Sequence, residues 1–321
     1  MKTIAIRADA NEADGTGHMM RCLALAEAFE NTRIILVYHQ APPALLARYE
    51  NLGAQLYHLK SQPYGKDDAQ ECNTLPCDWL IVDGYRFDAE FFESLQIKSA
   101  VLDDFARPPV MKADLVINPN TKASPDWYTP NQTTLLGPGF VPLRKEFRTN
   151  DTPKVPGRIL FTSGGGDDLN ITPLVIRKLR DLIDLSVIIG PANTHRDELV
   201  AEFSEQVELL ENVSNMAEEI ASSSMVICGA GSTIWECLSL STPLLPIILA
   251  DNQIPNQKFL LEEGFAISGC DARASDFLKN LRDSVEQFIK HPETARHAAN
   301  KGSKLIDGQG AHRIFEQLIK L

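Results

Sequence analysis

The residues best suited to chemistry begin near the start of the chain, in Arg7-Ala-Asp9-Ala-Asn-Glu-Ala-Asp-Gly15-Thr-Gly17-His18-Met-Met-Arg21-Cys22. An imidazole that follows a strand, a glycine loop and the first turn of a helix can act as a base near neutral pH. Glycines let the backbone approach an anion, and the free amides of a helix start face it with the favourable end of the dipole. Gly15 and Gly17 therefore make a candidate phosphate cradle carrying a base. The plain alternative is a structural glycine turn with His18 capping the helix. No third glycine follows at the spacing of a dinucleotide fingerprint, so a nicotinamide or flavin site is disfavoured.

A second glycine turn follows an apolar run at Cys228-Gly229-Ala-Gly231-Ser232-Thr233-Ile-Trp-Glu236. Here Ser232 suits a helix N-cap, and the amides of Gly231, Ser232 and Thr233 suit a diphosphate. Glu236, one turn further on, can accept two hydrogen bonds from a ribose diol. A helix start stabilised by its own dipole is the competing reading. Ser163-Gly164-Gly165-Gly166-Asp167 is a third glycine-rich strand end, whose conformational cost calls for close approach by a ligand or by an opposing domain. Asn252, Gln253, Asn256 and Gln257 add amide groups that bind a ligand or cap a loop.

These groups need a scaffold that brings them to one edge. Apolar runs at 3–8, 34–38, 55–58, 79–83, 99–103 and 114–118 alternate with helical patterns, as parallel strands do in α/β proteins. Asp83, Asp103, Asp104 and Asn118 stand at the ends of such runs, where open parallel sheets bind ligands. A stretch rich in proline and turn formers, 149–157, marks a domain boundary. Runs at 158–162, 185–189, 207–210, 225–228 and 244–248 then repeat the pattern. The expected architecture is two Rossmann-like α/β domains, 1–149 and 157–321, facing across a cleft, with the final helix, 311–321, left unassigned between them.

Composition narrows the function classes. The formal net charge of -12 offers no generic basic surface for nucleic acid or anionic lipid. No apolar run is long enough to span a bilayer. Six scattered cysteines with no C-x-x-C spacing fit a reduced, cytoplasmic protein without a zinc site. His39, His58, His195, His291, His297 and His312 lack the spacing of metal ligands, and Trp79, Trp127 and Trp235 read as packing residues. Asp103-Asp104 and Asp167-Asp168 are carboxylate pairs of which at most one member can face a ligand. No metal and no cofactor is called for, and oligomeric state is not legible.

Together these motifs resemble the UDP-sugar hydrolases of pseudaminic acid biosynthesis over nearly the whole chain. The resemblance rests on the Gly15 to Cys22 segment, on Val82-Asp83-Gly-Tyr85-x-x-Asp88, and on Leu102-Asp103-Asp104 with Asp114-Leu-Val-Ile-Asn118-Pro-Asn120. It continues through Leu135-Leu-Gly137-Pro, Leu143-Arg144-x-Glu-Phe147, Ser163 to Asp167, Gly229 to Glu236, and Ala250-x-Asn252-Gln253. Gly84, Phe140 and Pro142 depart from that family's pattern. The second half also resembles the UDP-binding domain of the peptidoglycan N-acetylglucosaminyltransferases, which implies the GT-B fold.

The resemblance implies hydrolysis of a UDP-linked diacetamido-trideoxy sugar at its anomeric C–O bond, with inversion, releasing UDP. His18 is then the base, and Asp9, Asp83, Tyr85, Asp104 and Asn120 contact the sugar or orient the histidine. Gly15, Gly17, Gly165, Gly231, Ser232, Thr233, Glu236, Asn252 and Gln253 complete the substrate site. The alternatives are a UDP-sugar glycosyltransferase of the same fold, a hydrolase for a related nonulosonic acid or surface-polysaccharide precursor, and a non-catalytic nucleotide-sugar sensor.

Overall fold

The computed structural model describes residues 1–11, 15–107, 112–130, 132–148 and 151–321. Residues 12–14 of the first glycine loop, and 149–150 where the first domain and the linker were expected to meet, lie outside the described residues. The chain forms two compact units: Met1–Lys145 with Gly308–Leu321, and Glu146–Asp307.

In the first unit seven strands form one parallel sheet. They are β1 (Thr3–Ala8), β2 (Arg33–Tyr38), β3 (Gln55–His58), β4 (Trp79–Asp83), β5 (Ser99–Leu102), β6 (Leu115–Asn118) and β7 (Thr133–Leu136). The central strands are buried on both faces, which is why they read as continuous apolar runs. Helices α1 (Gly17–Ala26), α2 (Pro43–Asn51), α3 (Lys66–Cys72) and α4 (Ala89–Ser94) connect the first five strands. The sheet order is β3-β2-β1-β4-β5-β6-β7, so the chain reverses direction between β1 and β4. That switch point opens a crevice at the carboxyl ends of the two strands.

The second unit repeats the plan with β8 (Arg158–Thr162), β9 (Asp184–Ile189), β10 (Glu208–Glu211), β11 (Met225–Gly229), β12 (Leu244–Ile248) and β13 (Cys270–Asp271). Their order is β10-β9-β8-β11-β12-β13, which puts this switch point between β8 and β11. Its helices are α5 (Thr172–Leu179), α6 (Arg196–Phe203), α7 (Met216–Ser222), α8 (Thr233–Ser239), α9 (Ile254–Glu262), α10 (Phe277–Lys290) and α11 (Pro292–Ser303).

The last helix, α12 (Gly310–Lys320), returns to the first unit, so the span 157–321 is not all one domain. Its Ala311, Ile314 and Leu318 enter the core beneath the seven-stranded sheet, and Phe315 stacks on Phe29 at 4.8 Å. Gly310 permits the entry, because a Cβ there would stand 2.2 Å from the carbonyl oxygen of Val141. Trp79 and Trp235 are buried as expected of packing residues, whereas Trp127 is 39% exposed on a short turn. Among the described residues no helix is long and apolar enough to cross a membrane, and no cluster of three or more metal-ligating side chains occurs.

Candidate active site

The first unit brings its chemical residues to its own switch point. His18, 8% exposed, is the second residue of α1, and Asp83 ends the neighbouring strand β4. The two meet at 2.7 Å between Nδ1 and Oδ1. Burial works to raise the Asp83 pKa, but Arg21 and His18 overcome it and hold the carboxyl at about 2. Asp83 is therefore an acceptor, and His18 Nδ1 must donate the proton. In the neutral ring this donation would leave Nε2 as the basic nitrogen.

Around this pair the side chains form a network. Arg21 donates from Nε to Asp83 Oδ2 at 2.5 Å, from Nη2 to Asp83 Oδ1 at 2.7 Å, and from Nη1 to Asp104 Oδ1 at 3.0 Å. The Tyr85 hydroxyl donates to Asp104 Oδ2 at 2.6 Å, and the edge of its ring meets His18 with centroids 4.5 Å apart. Asn120 donates to the backbone carbonyl and the side chain of Asp104. Burial raises the Tyr85 pKa and the Asp104 charge raises it further, so the phenol stays protonated. Arg107 donates to the carbonyls of Gly84 and Tyr85 and lies over the Tyr85 ring, holding that loop in place.

Two expected site residues have other work. Asp9 is engaged within the fold: its Oδ2 accepts from Arg7 at 2.8 Å, and its Oδ1 accepts the amides of His39 and Gln40. Arg7, fully buried in β1, needs that partner together with Asp68 and the faces of Tyr64 and Phe87, because an unpaired cation in a sheet core is too costly. Of the Asp103-Asp104 pair, Asp103 turns inward and accepts from Tyr128 and from the Ala106 amide. Only Asp104 joins the network. Gly15 adopts a φ of +68°, and Gly17 begins α1 with an exposed backbone.

The second unit gathers its loops at the β8/β11 switch point. Gly164 adopts a φ of +101°, a conformation that favours glycine, while Gly190 is the glycine that close packing requires. A Cβ on Gly190 would stand 2.1 Å from the Gly164 carbonyl oxygen, and the Gly165 carbonyl accepts from the Ala192 amide at 2.7 Å. Gly165 itself remains exposed. Asp167 is not a cation ligand, since its two oxygens accept the amides of Ile171 and Thr172 and cap α5. Ser232 occupies the N-cap position of α8 but makes no side-chain cap bond. Gly231, Ser232 and Thr233 thus lead into α8, with Glu236 half-buried on its first turn. Gln253 Oε1 accepts the amides of Leu249 and Ala230, which makes it a brace for the glycine turn more than a free ligand group. Asn252 is exposed beside it, while Gln257 braces β12 to β13 and Asn256 holds the Ala230 carbonyl.

Arg21, which joins Asp83 to Asp104, was not among the expected site residues. It lies three residues after His18, hence on the same helix face, and that spacing was the available signal.

Residues 160–314 match the glycosyltransferase family 28 C-terminal domain. The spore coat polysaccharide biosynthesis protein SpsG of Bacillus subtilis is 21% identical over 330 residues, covering 97% of this chain and 96% of SpsG. The uncharacterized protein MJ1062 of Methanocaldococcus jannaschii is 25% identical over 280 residues, covering 79% of this chain and 57% of its own length. The chain thus spans little more than half of that archaeal relative. Among solved structures, MurG of Acinetobacter baumannii superposes with a TM-score of 0.67 at 15% identity, with both chains fully covered. The spinosyn rhamnosyltransferase SpnG complexed with thymidine diphosphate gives 0.67 at 14% identity, covering 99% of this chain and 100% of SpnG. The fold is that of GT-B glycosyltransferases, two parallel-sheet α/β domains. These matches correct the expectation of a UDP-sugar hydrolase. The family 28 domain, the polysaccharide-biosynthesis relative and the transferase structures all fall on the glycosyltransferase alternative.

Proposed function

We propose that the chain transfers a sugar from a UDP-sugar to a hydroxyl acceptor during the making of a surface polysaccharide. The match of residues 160–314 to the family 28 domain supports nucleotide-sugar binding by the second unit, and the name of SpsG supports the polysaccharide setting. The observation that carries the chemistry is the His18–Asp83 pair, an imidazole whose Nδ1 lies 2.7 Å from a buried carboxylate that can orient it. The acceptor hydroxyl gives its proton to Nε2 as its oxygen bonds the anomeric carbon. The bond from that carbon to the diphosphate breaks, and its electron pair leaves with UDP. Among the described residues of this network, Asp83 and Asp104 are both engaged by Arg21, which favours a direct attack by the acceptor over a glycosyl-enzyme intermediate. On this reading the transfer is a single displacement with inversion.

In the second unit the amides of Gly231, Ser232 and Thr233 would take the diphosphate, where helix-terminal donors stabilise the departing charge. Glu236 would accept the ribose diol, with Gly165 and Asn252 exposed at the same strand ends. Titration calorimetry tests this assignment. Glu236→Ala is expected to weaken UDP binding about 10- to 100-fold, the worth of hydrogen bonds to a charged group, and to abolish discrimination between UDP and dUDP. Unchanged affinity and unchanged discrimination would remove Glu236 from the site.

A further inference from the structure

The network around His18 forms a closed ring of contacts. It runs from His18 to Asp83, to Arg21, to Asp104, to Tyr85 and back to the imidazole. We infer that Arg21 is the positioning residue of this ring, fixing the imidazole through two independent arms. The inference rests on the reading of His18 as the base and adds a residue which that reading does not require.

The first arm is the carboxylate of Asp83. Its Oδ1 accepts from His18 and from Arg21 Nη2, both at 2.7 Å, and its Oδ2 accepts from Arg21 Nε at 2.5 Å and more weakly from the Cys22 thiol at 3.6 Å. Four donors on two oxygens saturate a carboxylate. The torsion that turns a carboxylate about its own axis is otherwise soft, with broad minima. A guanidinium that grips both oxygens side by side removes that freedom, which a point charge cannot do. The plane of Asp83 then dictates the line along which Nδ1–H points, and so where Nε2 aims.

The second arm runs through Asp104. Arg21 Nη1 and Asn120 both donate to Oδ1, and the Tyr85 hydroxyl donates to Oδ2. Tyr85 in turn sets its ring edge against His18 with an interplanar angle of 86°. The hydrogen bond fixes one edge of the imidazole and the tyrosine one flank. Both refer back to the same guanidinium, one helical turn from the histidine. Arg21 is 20% exposed and Asp83 fully buried, so the grip is screened little by water.

The test uses Arg21→Ala and Arg21→Lys in the full chain, with His18→Gln as control. Arg21→Ala is expected to lower kcat about 100-fold, the cost of a misaimed catalytic group, with KM for the donor within about twofold. Guanidinium chloride at tens of millimolar should restore part of that rate and leave the wild type unchanged, a response that a purely structural ion pair would not give. Arg21→Lys, able to reach only one oxygen at a time, should lie between the two and serves as the reading if the alanine variant does not fold. In the protein without substrate, the downfield proton resonance of His18 Nδ1–H should broaden or move upfield in both variants. An unchanged resonance and unchanged kcat overturn the inference, as does a loss of rate that guanidinium fails to restore in a folded variant. If His18→Gln remains active, the base assignment fails instead, and the resonance alone then decides the role of Arg21.

Discussion

His18→Gln should lower kcat for sugar transfer by about 100- to 10,000-fold, the usual share of general base catalysis, while UDP binding stays within about twofold of wild type. The glutamine keeps a polar side chain of similar reach at the start of α1 but has no nitrogen that can take the acceptor proton. The separation of rate from affinity is the point. The imidazole belongs to the first unit, whereas the proposed nucleotide contacts all belong to the second. Steady-state kinetics with calorimetry on one preparation reads both numbers. A variant with wild-type kcat would take His18 out of the chemistry.

Asp83→Asn should be nearly as severe, on the order of 1,000- to 10,000-fold in kcat, because an aspartate that orients a histidine also dictates its tautomer. In the variant the amide either puts its NH2 at the Oδ1 position, where it meets Nδ1 and Arg21 Nη2, forcing the proton to Nε2 and blocking the base, or at the Oδ2 position, where it opposes Arg21 Nε. Shape and volume change little, so the loss reports chemistry. The same substitution has a signature in stability. Asp83 is held at about 2 in the folded protein, below the ordinary carboxylate value near 4. A depressed pKa stabilises the fold above the unfolded value and loses that contribution as pH falls through the folded one. The stability gap between wild type and Asp83→Asn should therefore be flat from about pH 6 to about pH 4 and shrink by roughly 2 kcal/mol toward pH 2. A gap that does not change with pH would mean that the carboxylate charge is not what the network holds.

Much of the fold can be read from the chain because parallel strands buried on both faces leave unbroken apolar runs. β1, β4, β6, β8, β11 and β12 all announce themselves this way. β7 does not, since Thr133 and Thr134 give it a half-polar edge character, and the two-residue β13 is too short to carry a pattern. α12 shows its amphipathic face plainly, but a helical stripe does not say which sheet it covers. Only the fit of Gly310 against Val141 and of Phe315 against Phe29 decides that.

The candidate site was legible where position alone determines role. Asp83 ends β4 and His18 opens α1, the helix that follows the adjacent strand β1, at a reversal of sheet order, and both places are visible in sequence. Asp9 sits at a comparable strand end yet serves Arg7, because a buried cation two residues earlier claims it. The approach of the Gly164 carbonyl to Gly190 leaves no mark in the sequence, because the two become neighbours only after β8 and β9 pair. The reaction class was the least legible. A base that deprotonates water and one that deprotonates a sugar hydroxyl need the same histidine and the same carboxylate, so these motifs identify the nucleotide-sugar chemistry more readily than the acceptor.

The most direct test is to follow UDP release from UDP-sugars with and without candidate polysaccharide acceptors, identifying the sugar product by NMR. Transfer predicts UDP release that rises with acceptor concentration, and a new glycosidic linkage whose anomeric configuration is opposite to that of the donor. Release at full rate with no acceptor present, with free sugar as the only product, would contradict it.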